Sequence, residues 1–97
     1  MNPKPDFILM ACTSASVSYR ESLTREELVR ALLSGEVPEN RRAHLRTLLE
    51  EAPRSLLTGL VEQVGEESRT GEIERNLLKI ANALQVSHRL RNWQKNP

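Results

Sequence analysis

From Leu23 onward the apolar residues of this chain fall at helical spacing, in blocks separated by glycine and proline. Thr24 followed by Glu27 forms a capping-box pattern, and Leu23 with Leu28 can supply the accompanying hydrophobic staple. The helix that this opens turns Leu28, Ala31 and Leu32 inward and stops at Gly35, a residue suited to a left-handed cap. Pro38 then fits the first turn of a second helix, whose inward set is Leu45, Leu48, Leu49 and Ala52 at i, i+3, i+4, i+7. Pro53 closes that helix and opens a third, with Leu57, Leu60, Val61 and Val64 inward, ending near Gly65. A polar link, 66–71, leads to a fourth with Leu77, Ile80, Ala81 and Leu84 inward. The pattern predicts an all-α fold, a small bundle or orthogonal array of four to five short helices.

Residues 1–21 carry no comparable signal. Two prolines predict a loose start, and the apolar run 7–11 fits one short strand, a weak hairpin, the start of a helix, or an arm packed on a neighbour. The expected organisation is therefore an N-terminal arm, 1–21, followed by a helical domain, 22–97. The run ending at Cys12 is about five apolar residues, too short for a secretion signal, which needs roughly 7–15.

The last helical block conflicts with itself. At about 100° per residue, Ile73, Leu77, Ile80, Ala81 and Leu84 share one stripe. A straight continuation puts His88 and Arg91 on that stripe and Val86, Leu90 and Trp93 opposite it. Two paths resolve the conflict. Either the helix continues and Val86, Leu90 and Trp93 form a second apolar face for another protein, or the chain turns near 85–87 and starts a new helix.

Charge sharpens the question. Between Thr47 and Glu74 seven glutamates oppose two arginines, whereas Arg75, Lys79, Arg89, Arg91 and Lys95 meet no acid before the end of the chain. The net charge of the whole is only +1, so any electrostatic role is local. On the first path, Arg89 and Arg91 form a polar rim around Trp93. On the second, the wording of residues 80–93, IANALQVSHRLRNW, resembles the helix-turn-helix of DNA-binding regulators. Ala81 matches the alanine that packs against the second helix, while Val86 and Ser87 match the pair that opens the recognition helix. Gln85 stands where glycine is usual. The resemblance implies contact of Ser87, His88, Arg89 and Arg91 with DNA, with Lys79 and Lys95 as positioning charges.

Little else carries chemistry. One cysteine, Cys12, excludes an intrachain disulfide and a multi-cysteine zinc site and suits a reducing cytoplasm. His44 and His88 lack metal-pair spacing, and adjacent glutamates on a helix do not converge as acid–base pairs. No glycine-rich phosphate loop and no apolar stretch of membrane length occur. The sequence therefore predicts no enzyme, cofactor, metal, membrane span or small-molecule substrate. The leading expectation is a protein-interaction module, a regulator or adaptor that binds another protein or a second copy of itself as a homodimer. Its alternatives are a helix-turn-helix DNA-binding regulator using residues 80–95, and a structural subunit of a larger assembly.

Overall fold

The computed structural model describes residues 5–66 and 69–86. Five α-helices and no strand occur among them: α1 Phe7–Ser16, α2 Arg25–Ser34, α3 Arg42–Glu51, α4 Arg54–Gly65 and α5 Thr70–Ala83. The all-α expectation holds. A 3-10 turn over Glu39–Arg41 precedes α3, so Pro38 stands before that turn instead of inside the helix.

Helix α2 begins and ends as its sequence dictates. The Glu27 N–H donates to Thr24 Oγ1 at 3.1 Å and the Thr24 N–H donates to Glu27 Oε1 at 3.0 Å. At the far end Gly35 adopts φ +78° and its N–H reaches the Ala31 carbonyl. Asn76 on α5 adds a long-range cap, its Nδ2 donating to the carbonyls of Leu32 at 2.7 Å and Leu33 at 3.2 Å. Two orphan carbonyls at the end of α2 are thus satisfied by a different helix.

The main difference from expectation lies in the presumed arm, which contains a core helix from Phe7. Ile8, Ala11, Cys12 and Ala15 of α1 are buried at i, i+3, i+4, i+7 in the same cluster as the leucines of α2–α4. Asp6 caps the helix by accepting from the Leu9 N–H. Gln63 of α4 caps it from 55 residues away, its Oε1 accepting from the Phe7 and Ile8 N–H groups at 2.7 and 3.1 Å. Three N-terminal donors that would otherwise need water are accounted for. The Leu9 N–H, and after it the Gln63 side-chain Nε2, which donates to Asp6 Oδ1 at 3.1 Å, hold the Asp6 carboxyl below its ordinary pKa.

Close approach of α1 to α4 depends on Gly59, where a Cβ would lie 2.6 Å from the Phe7 ring. The link from α1 to α2 is tied down as well. Tyr19 donates from or accepts at its hydroxyl with Thr47 at 2.8 Å and stacks at 4.2 Å on the ring of His44. His44 is buried, and its Nε2 donates to the Glu21 carbonyl at 2.7 Å. It sits between α3 and the link from α1 to α2. We expect Gly59→Val to destabilise the fold by about 1–3 kcal/mol through overpacking against Phe7. Urea unfolding checks this, and pairing the change with Phe7→Ala should recover part of the loss.

Candidate functional site at the end of the last helix

Helix α5 does not continue past Ala83. The Val86 N–H donates to the Ala81 carbonyl at 2.8 Å and the Gln85 N–H to the Asn82 carbonyl at 3.1 Å. This pair of bonds is the Schellman arrangement, which requires a left-handed residue between them. Gln85 supplies it, with φ +63°. The position where the helix-turn-helix pattern carries glycine is thus left-handed here, although the residue is glutamine.

The turn resolves the angular conflict of the sequence. Val86 is fully buried, in contact with the cluster that holds Ile73, Leu77, Ile80, Ala81 and Leu84. A continuous helix would have carried it to the opposite side. The expected second apolar face therefore does not begin at Val86, which is core and offers no exposed contact to a partner. Ala81, at the position matched to the packing alanine, is also fully buried. The expected contact residues Ser87, His88, Arg89, Leu90, Arg91, Trp93 and Lys95 lie outside the described residues.

Two arginines of α3 flank the place where the chain leaves α5. Arg42, Ala43 and Arg46 line a groove of about 350 Å³ with Ala83, Leu84 and Gln85. Arg42 Nη2 donates weakly to the Ala83 carbonyl at 3.5 Å, and Arg46 Nε to Glu50 at 3.3 Å. Both side chains are on the surface. Arg41 points elsewhere, bound to Glu27 at 2.9 Å and Glu21 at 3.2 Å. Its hydrogen bond to Glu27 raises its pKa, and it is committed to the fold. Lys79 is exposed on α5, one turn before Ala83, with its stem near Gly35.

The sequence singled out Lys79, whereas nothing in the local pattern sets Arg42 and Arg46 apart. Their proximity to residues 83–85 is tertiary, set by how α3 meets the end of α5, and no local signal encodes it. No group of three or more His, Cys, Asp or Glu side chains placed to hold a metal ion occurs among the described residues. No helix there is long and apolar enough to cross a membrane. No protein family matches the chain, and neither does any curated protein or solved structure compared with it.

The left-handed turn makes a prediction of sign. A Cβ in that conformation costs about 1–2 kcal/mol, while glycine gives back roughly 0.5–1 kcal/mol in unfolded-chain entropy. Gln85→Gly should therefore leave stability unchanged or raise it by up to about 1.5 kcal/mol. The same change inside a continuing helix would lower stability by roughly 0.5 kcal/mol or more, and denaturant midpoints distinguish the two.

Proposed function

We propose that the protein is a non-enzymatic regulator that binds duplex nucleic acid through a helix-turn-helix whose first helix is α5. The observation that carries this reading is the backbone at 84–86. The left-handed Gln85 and the buried pair Ala81 and Val86 match what the pattern asks of the turn and of its packing on both sides. In this reading residues 87–95 supply the recognition element, with Ser87 as its cap and Arg89 and Arg91 directed at bases or phosphates. Arg42 and Arg46 stand beside the turn as backbone-positioning cations, and Lys79 and Lys95 extend the same role. The acidic segment 47–74 keeps non-specific adhesion low, since the overall charge stays near neutral.

Binding to mixed genomic duplex fragments, followed by fluorescence anisotropy, should weaken about 10²-fold between 50 and 200 mM salt if roughly four phosphates are neutralised. Arg42→Ala with Arg46→Ala should weaken it for all sequences alike and flatten the salt slope. No salt-sensitive binding at 50 mM would overturn the reading.

The protein-interaction reading retains support from another part of the molecule. Leu9, Met10 and Val17, on or beside α1, are exposed to 59, 48 and 78%, on a stretch without charge. A regulator or adaptor that contacts proteins there does not need Val86, and the duplex-binding reading does not exclude it.

A further inference from the structure

Phe7 to Tyr19 is the longest uncharged stretch of a chain in which 28% of residues are charged. Its inner face belongs to the core through Ile8, Ala11, Cys12 and Ala15. Its outer face shows Leu9, Met10, Thr13 and Val17 to solvent. Beside that face runs a groove of about 470 Å³, lined by Leu9, Cys12, Thr13 and Val17 from this stretch and, from the next, by Leu23 and by Arg25, whose charge is paired with Asp6. One short segment therefore provides both the apolar side chains that protrude and the concavity that could receive them. This is the requirement of a two-fold interface, in which one patch meets its own copy.

We infer that the outer face of α1 pairs with the same face of a second copy of this chain, the two helices antiparallel and crossing at Thr13. That register sets Leu9 of each copy against Val17 of the other. It also sets the residue before the helix, Asp6, against the residue after the following turn, Arg20. The charges agree with this arrangement. Around Asp6 the surface groove includes Glu62 and Glu66, and because Asp6 is bonded to Arg25 at 2.9 Å, those two glutamates carry the net charge of that end. At the other end Arg20 is exposed, while the neighbouring Glu21 binds Arg41. An antiparallel pair brings the acidic end of each copy to the basic end of its partner, and it opposes the helix dipoles favourably. A parallel pair would stack like ends. The uncharged middle has nothing to repel its own image.

The pairing does not depend on the duplex-binding reading. Helix α1 is only about 15 Å long at 1.5 Å per residue, so the interface falls below the roughly 1,200 Å² of stable interfaces and the dimer is a weak one, for which a Kd of order 10–100 μM is taken as the working value. Light scattering of the full chain at about 500 μM, roughly five- to fifty-fold above that Kd, should give a mean mass about 1.7 to 1.9 times the 11.0 kDa of the chain. The pair Leu9→Glu and Val17→Glu, both at exposed positions, should return the 11.0 kDa monomer with an unchanged circular dichroism spectrum. Thr13→Cys in a Cys12→Ala background should give a covalent dimer on mild oxidation, placing the contact at the crossing point. Two results would overturn the inference: a monomer of the unaltered chain at 500 μM, as when the chain's own C-terminal residues cover the face, or a dimer that both tests leave untouched.

Discussion

A helix can send its apolar residues to one side only for as long as the sequence keeps the helical period, and in α5 the period fails at Gln85. Everything notable about this end of the molecule follows from that limit. Val86 can join Ile73, Leu77, Ile80 and Ala81 only if the backbone reverses hand for one residue. Full burial of Val86 contributes about 1.5–3 kcal/mol relative to exposure, more than the roughly 1–2 kcal/mol cost of a left-handed residue bearing a Cβ. The two Schellman bonds satisfy carbonyls that a frayed end would leave to water. Burial outweighs strain, and the end of α5 shares a groove with Arg42 and Arg46.

At the other end of the chain the same balance is reached with small residues. Ala11, Cys12 and Ala15 bury little area themselves but let α1 settle closely on its neighbours, with Phe7 lying over Gly59 of α4. Gln63 then does for the first turn of α1 what Asn76 does for the last turn of α2. In both cases a side-chain amide on one helix completes the backbone of another, so the helices are joined by specific bonds as well as by apolar contact. The consequence for function is that the outer side of α1 is left apolar and uncharged, while α3 and α5 present cations around the turn.

Most of the helical frame was legible in the chain because leucine at i, i+3, i+4, i+7 and well-placed caps leave few alternatives. The Thr24–Glu27 box, Gly35 and the inward leucines of α2, α3 and α4 all stand where the spacing puts them. Helix α1 was not legible, for a physical reason: apart from Ile8 its buried face is made of alanine and cysteine, and its exposed face carries Leu9 and Met10. The contrast between its sides is therefore weak, and Gln63, which stabilises its start, is 55 residues distant. The angular conflict at Val86 could be read from sequence, but its resolution required knowing which side of α5 is covered. The grouping of Arg42 and Arg46 with residues 83–85 is likewise a product of helix packing that no periodicity contains.

The central claim is that the chain reverses at Gln85 and buries Val86. Nuclear magnetic resonance on the full chain tests it most directly. The account predicts a slowly exchanging Val86 amide, nuclear Overhauser contacts from the Val86 methyls to core side chains, and Gln85 shifts outside the helical range. Helical shifts running unbroken through residues 84–88, with Val86 methyls in contact only with their own helix, would contradict it.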